Sequence, residues 1–318
     1  MGQADFVTTP LFDFIPTDPT LTPQELRAAA LAGTPAERAE FTRTISISVD
    51  GYRHANDFVD ALLDRSARSP RPGGLWLLGD GGVGKSFILE AVYRRHPPSE
   101  SQTKRHCPIL SLSFSSRPSE SEILLTVLLQ LGQNPKSIRY QNNAELMDHV
   151  VDAVSTGGAL AILFDEAHHL WLNTSAKRVT DRMGGRLGDF LKRFYDRTGL
   201  AYIFAGTNGL HDLLDADSQA STRWPGTLRL HPFADDEKFR GLLAALDMAI
   251  PMPKPAGLTT DSLASRIFES TKGNFRNLKT LLAQAVYIAA SEGAHLISEA
   301  HLARAHFLTF CSETTPFD

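Results

Sequence analysis

The sequence predicts an α/β fold, with a core of alternating strands and helices followed by a helical region. Three observations carry this reading. A Gly-rich run, Gly79-Asp80-Gly81-Gly82-Val83-Gly84-Lys85-Ser86, lies between an apolar stretch at 75–78 and helically spaced apolar residues at 87–93. That order, strand then Gly loop then helix, is the context a phosphate-binding loop needs. A fully apolar run at 160–164 ends in Asp165-Glu166. It reads as a buried strand with two carboxylates at its carboxyl end, the edge where ligands bind in open parallel sheets. Beyond Pro232 the β signals stop and only helical spacing follows.

Each element can be justified in chain order. Residues 1–20 carry several prolines and few periodic features, so an extended arm is expected. Thr22-Pro23-Gln24-Glu25 opens a short helix, with Thr22 as N-cap and Pro23 in the first turn. A second helix is expected over 55–65, and Ser69-Pro70-Arg71-Pro72-Gly73-Gly74 links into the first core strand. Core strands are expected at 75–78, 109–114, 160–164, 201–205 and 227–230. Helices follow at 235–246, 260–270, 275–291 and 298–308. The domain reading is an arm and short helix at 1–45, a nucleotide-binding core at 46–232, and a helical lid with its tail at 233–318.

The Gly-rich run specifies its own chemistry. Glycines let backbone N–H groups turn in around phosphate oxygens, and the following helix N-terminus adds a favourable dipole. Gly79, Asp80, Gly81, Gly82, Val83, Gly84, Lys85, Ser86 and Phe87 are the expected nucleotide contacts. Lys85 would reach the β- and γ-phosphates, and Ser86 would ligate Mg²⁺. Asp165 would hold the Mg²⁺ through water, and Glu166 would polarise the attacking water. ATP and Mg²⁺ are therefore the expected ligands. The structural alternative for Asp165 and Glu166 is a cap on the next helix.

Composition narrows the class. The chain has 318 residues and 42% hydrophobic content, and no apolar run approaches the length of a membrane span. The start lacks the basic-then-apolar form of a secretory signal. The two cysteines, Cys107 and Cys311, lie far apart and outside any metal-ligand spacing, which points to a reducing cytoplasm. The net charge is −4, so any nucleic-acid site must be a local basic patch.

Further polar residues cluster near strand ends. Gly206-Thr207-Asn208 follows the fourth core strand, where Thr207 or Asn208 would sense the γ-phosphate or orient water; the bland reading is an Asn/Gly turn. Arg223 precedes the last core strand and would face the nucleotide of a neighbouring subunit, with Arg229 as the next candidate for that role. Arg276, in Lys272-Gly273-Asn274-Phe275-Arg276, would close onto the γ-phosphate from the lid. Asp165-Glu166-Ala167-His168 also occurs in helicases, but no second α/β half follows it. The histidines have no ligand-spaced partner, which argues against a metal role.

Together, GDGGVGKS, LFDEAHHL, FAGTN, STRWPGTLRLHPF and STKGNFRNL resemble successive landmarks of an AAA+ ATPase, and more closely those of the TniB/TnsC transposition ATPases related to MuB. The resemblance implies a five-stranded parallel sheet of order 5-1-4-3-2 and a C-terminal helical lid. It implies ATP-dependent homo-oligomers, as rings or filaments, on double-stranded target DNA. It implies a DDE transposase and a TniQ-like target-selection factor as partners, with no membrane. It also places a backbone-tracking loop after the second core strand, where Ser116 and Arg117 would contact phosphates, with Lys136 and Ser137 as the second contact. A basic helix with Arg182, Arg186, Lys192, Arg193 and Arg197 competes with that loop, its structural reading being a solvated face. An ExeA-type secretion ATPase and a nucleotide switch without DNA are the alternative functions.

Overall fold

A computed structural model describes residues 21–100, 105–134, 138, 142–171, 185–312 and 314–317. The expected arm at 1–20 and the residues Lys136, Ser137 and Arg182 lie outside the described residues. Two helices with the same N-terminal chemistry come first. In α1 (Pro23–Ala32) and α2 (Pro35–Thr44), a threonine N-cap accepts from the backbone of a glutamate three residues on, and that glutamate reaches back to the cap. These reciprocal capping boxes, each with Pro in the first turn, satisfy amides that would otherwise lack partners. The second of them, α2, has no counterpart in the sequence reading. The next helix, α3 (Asp50–Ser66), is longer than the expected 55–65.

The α/β unit spans residues 54–231. In chain order it holds β1 (Gly74–Gly79), α4 (Lys85–Arg95), a two-stranded ribbon of β2 (Ser99–Glu100) and β3 (Arg105–His106), then β4 (Ile109–Ser113). There follow α5 (Glu120–Gln130), α6 (Asn143–Gly157), β5 (Ala161–Asp165), a 3-10 turn at Ala167–Leu170, α7 (Arg186–Thr198) and β6 (Ala201–Gly206). Two short helices, α8 (Leu210–Asp215) and α9 (Ser218–Arg223), lead into β7 (Gly226–Leu230). The sheet order is β4-β5-β6-β1-β7, and every pairing is parallel. Numbered among the five sheet strands alone, that order reads 5-1-4-3-2 from the β7 edge, as the resemblance implied.

Burial explains why these runs are strands. β1 and β6 are buried along their whole length, as expected where helices cover both faces of a parallel sheet. One face is packed with aromatics. Trp76 stacks on Phe204 at 4.3 Å, Phe164 stacks on Phe204 at 5.0 Å, and Tyr202 stacks on Trp224 at 5.5 Å. Trp76 also donates through Nε1 to the Trp224 carbonyl at 3.0 Å, so its one polar atom is satisfied.

The helical unit joins residues up to Arg53 with Pro232 onward. Its later helices are α10 (Glu237–Ala249), α11 (Asp261–Thr271), α12 (Phe275–Ser291) and α13 (Glu299–Phe310). Ile45 and Ile47 are buried in the same core as Leu242, Leu282 and Leu302. Arg27 on α1 donates to the Ile250 and Met252 carbonyls at 3.1 and 2.8 Å. The N-terminal helices are thus built into this unit. Among the described residues, no helix is long and apolar enough to cross a membrane.

Candidate nucleotide site

The site begins where β1 turns into α4. Gly79 lies so close to the last sheet strand that a Cβ there would sit 2.5 Å from the Leu230 carbonyl oxygen. Gly84 occupies the N-cap of α4 at φ 103° and offers no side-chain cap. No capping side chain therefore stands between the first turn of α4 and an incoming ligand. The amides of that turn and the helix dipole form an anion-binding cradle. The Lys85 side chain is buried, and its Nζ donates to the Gly79 and Asp80 carbonyls, each at 2.8 Å. The ammonium is therefore held inside the loop. Ser86 is exposed on the first turn of α4.

Two neighbouring strands deliver their ends to the same edge of the sheet. After β6, Asn208 Nδ2 donates to Asp80 Oδ1 at 2.9 Å, which ties the β6 loop to the Gly-rich loop. The Asn208 Oδ1 atom is buried without a hydrogen-bond partner among the described residues. Thr207 stays in the turn, its carbonyl accepting from Leu210 N at 3.1 Å. After β5, Asp165 Oδ1 accepts from Glu166 N at 2.9 Å. Glu166 precedes the 3-10 turn at φ 49°, in the left-handed region, and makes no cap bond. Neither carboxylate therefore serves as a helix cap. A Cβ on Gly206 would lie 3.3 Å from His168 N, so the β5 and β6 loops are in contact too.

Sequence reasoning assigned His168 no role at this edge. Its Nδ1 lies 3.1 Å from Glu166 Oε2. Burial first, and the adjacent His169 second, push its imidazole below the ordinary histidine range, against the opposing pull of Glu166. The shift favours the neutral ring, although Lys85 is near enough to act on it as well.

The oxygen donors that the sequence offers for Mg²⁺ are chemically suited to it. The Ser86 hydroxyl is exposed and one Asp165 oxygen is not engaged by the Glu166 amide. A hydroxyl and a carboxylate, with water completing the set, suit this small, hard cation.

Arg223 sits elsewhere in the unit. It ends α9, and its guanidinium grips Asp196 on α7 in a bidentate pair, Nε to Oδ1 at 3.2 Å and Nη2 to Oδ2 at 2.7 Å. The start of β1 is its neighbour, since a Cβ on Gly73 would lie 3.9 Å from the Arg223 carbonyl oxygen. At the other end of α9, Asp217 caps the helix and accepts from the buried Lys192 at 3.0 Å. Lys192 and Asp196 are one turn apart on α7, so two ion pairs fasten both ends of α9. The charge pattern of α7 alone gave no sign of these partners.

The remaining basic candidates divide. Arg117 is exposed in the loop before α5 and has no carboxylate partner among the described residues; Ser116 beside it is also exposed. On α7, Arg186 pairs with Glu120 at 2.7 Å, and Arg197 pairs with Asp148 at 2.6 Å. Arg276 belongs to the helical unit, exposed in the first turn of α12. Its backbone N–H donates to the Asn274 side chain at 3.1 Å.

A family model described as "Bacterial TniB protein" matches residues 43–233, more than half of the chain. The chain belongs to the TniB family. No curated protein matches it. The fold of this TniB-family chain is that of AAA+ ATPases. The Aeropyrum pernix ORC2 protein, solved as ADPNP–ADP complexes, is similar at TM-score 0.57 and 14% identity, over 84% of this chain and 68% of that one. Cdc6p from Pyrobaculum aerophilum is similar at TM-score 0.54 and 16% identity, over 80% and 67%. The A. pernix ORC1 protein in complex with DNA is similar at TM-score 0.54 and 14% identity, over 80% and 64%.

Proposed function

We propose that this TniB-family chain is a Mg²⁺-dependent ATPase that assembles on duplex target DNA when ATP is bound. There it recruits and activates a DDE transposase, with a TniQ-like target-selection factor as a further partner. One observation carries the ATPase reading. The loops after β1, β5 and β6 interlock at a single sheet edge, through the Asn208–Asp80 bond and the approach of Gly206 to His168. These contacts support a reading in which lysine, carboxylates and amide act together at the N-terminus of α4.

In this reading Lys85 exchanges its two loop carbonyls for the β- and γ-phosphate oxygens. Ser86 and Asp165 would hold Mg²⁺, which would supply positive charge to offset that developing on the phosphates. Glu166 takes a proton from the water that attacks the γ-phosphorus, and ADP leaves with the bridging oxygen. Asn208, already fixed by Asp80, orients that water or the γ-phosphate. Arg223 serves the nucleotide of the next subunit, because it lies at the opposite end of β1 from its own loop. Arg276 closes from the lid.

The DNA part of the proposal rests on the TniB membership and on Arg117, an exposed guanidinium with two serines beside it. The DNA-bound ORC1 protein lends support through its shared fold. With a net charge of −4, one subunit has little general attraction for DNA. Affinity must come from the same few contacts repeated along an ATP-held oligomer, which add as linked sites. The test is duplex binding across a salt series, with and without a non-hydrolysable ATP analogue. Binding should require the analogue and ignore sequence. Arg117→Ala should weaken it on all duplexes alike. It should also flatten the slope of log affinity against log salt by about 0.9 for each phosphate no longer neutralised. Tight binding without nucleotide, or an unchanged slope in the variant, refutes this DNA site. Duplex binding by Lys85→Ala equal to the parent's would refute the ATP dependence.

A further inference from the structure

A second cavity opens at the amino end of the sheet. It measures about 330 Å³, and Arg65, Arg71, Tyr195, Asp196 and Arg223 line it. Its charge is unbalanced. Among the described residues Asp196 is its one carboxylate, and it is already committed to Arg223 through both oxygens. Arg65 and Arg71 have no carboxylate partner among the described residues, and both are exposed. Three guanidiniums thus converge on one neutralising group.

The walls are rigid. Pro72 and Pro225 line the cavity. Gly73 holds φ 95°, and its N–H donates to the Tyr195 hydroxyl at 2.9 Å. A Cβ there would lie 3.9 Å from Arg65 Nη1, which fixes how near that arginine stands to the start of β1. Arg71 and Arg223 are both close enough to Tyr195 to act on it electrostatically.

The lining suits an anion with several acceptor oxygens, since forked guanidiniums match phosphate and carboxylate geometry. That anion is not the nucleotide of the same subunit. β1 has six residues, so its far end and the Gly-rich loop lie about 17 Å away, more than an arginine side chain spans.

We infer that Arg65 and Arg71 join Arg223 in a phosphate-receiving site for the ATP of a neighbouring copy, with Asp196 as the counter-ion that holds Arg223 in line until that phosphate arrives. The inference rests on the reading of Arg223 as a residue acting across the interface, and adds two arginines and a carboxylate to it. On docking, the triphosphate replaces Asp196 as the main partner of the guanidinium. The two arginines without a carboxylate then offset the charge that one arginine alone leaves uncompensated.

The test uses the full chain and ATP as the probe. The Arg65→Ala/Arg71→Ala double variant should keep nucleotide affinity and KM. Its kcat should fall by about 10²-fold, as when one preorganised donor is removed. Mixing it with Lys85→Ala should restore hydrolysis, because the Lys85→Ala subunit still presents intact arginines to its neighbour's ATP. An unchanged kcat in the double variant, while Arg223→Ala loses activity, overturns this site and leaves the Arg223 reading standing. Full activity in Arg223→Ala overturns that reading itself, and this site with it. A loss that Lys85→Ala does not relieve shows that the arginines act within their own subunit, which also overturns it. So does a loss of duplex affinity at undiminished kcat, which would make the cavity a DNA-backbone contact.

Discussion

Glu166 adopts a left-handed backbone at φ 49°, which costs a non-glycine residue about 1–2 kcal/mol. The cost brings its carboxylate round beside His168 and leaves it uncapped. A strained acid free of helix duty fits a group that handles a proton. Glu166→Gln should therefore bind ATP with ordinary affinity and hydrolyse it about 10²–10⁴ times more slowly. Single-turnover assays beside an affinity titration check this, and equal hydrolysis in both proteins sinks the role. Lys279 makes a different point. It donates to the Ile45 carbonyl at 3.0 Å and lies 5.3 Å from the centre of the Phe275 ring, and burial lowers its amine to about 8. The unfolded lysine keeps its proton to about pH 10.4. Between those values the unfolded chain binds more protons, so this residue makes stability rise as pH climbs from about 8 to about 10. Below pH 8 that gain is absent. Denaturant midpoints across this range should rise more steeply in the parent than in Lys279→Met; parallel curves would show that the amine is not desolvated.

At the scale of elements, the entry to α12 shows how a loop can be overdetermined. Lys272 and Gly273 are both left-handed, and Asn274 then caps the helix through Arg276 N and Asn277 N. Phe233 donates its N–H to the Gly273 carbonyl at 2.9 Å, and a Cβ on Gly273 would fall 2.0 Å from the Phe233 carbonyl oxygen. Gly293 has a similar φ of 70° with nothing near its missing Cβ. Gly293→Ala should thus cost only about 1 kcal/mol. Gly273→Ala adds a backbone collision and should cost about 3 kcal/mol or more. Urea unfolding of the two variants separates conformational cost from the collision, and equal losses would refute the close approach. The long helices were legible because apolar spacing marks them: α12 runs Phe275–Ser291 as its pattern implies. By contrast, α2 was not, since it buries only Ala39 and Thr42 and shows no apolar stripe. Thr34-Pro35 with Glu37 repeats the cap of α1 and is the signal that would have found it. The short α8 buries Leu210, Leu213 and Leu214, too brief an apolar pattern to stand out, and α9 buries only Ala220.

For the whole molecule, sheet composition followed from three apolar runs and two alternating ones, while strand order came only through family resemblance. Pairing partners are a tertiary matter that single strands do not encode. The candidate site divides the same way. Gly79 to Ser86, Asp165 and Glu166 are contiguous motifs, shaped by the geometry of one ligand. Asp196, Arg71 and His168 matter through what they face across the fold, and as isolated surface charges and a ring they look ordinary in sequence. The helical unit is assembled from both sides of the α/β unit in the chain, since residues up to Arg53 share a core with those from Pro232 onward. During synthesis the first helices leave the ribosome with buried positions such as Ile45 and Ile47 lacking the helices that will cover them. They wait through some 180 residues, about ten seconds or more at ordinary elongation rates. In that interval the α/β unit can complete its own sheet, while the early helices stay exposed to chaperones and proteases. The closing step is a long-range docking of first helices onto last, so a stalled or truncated chain would expose its earliest segment rather than its latest.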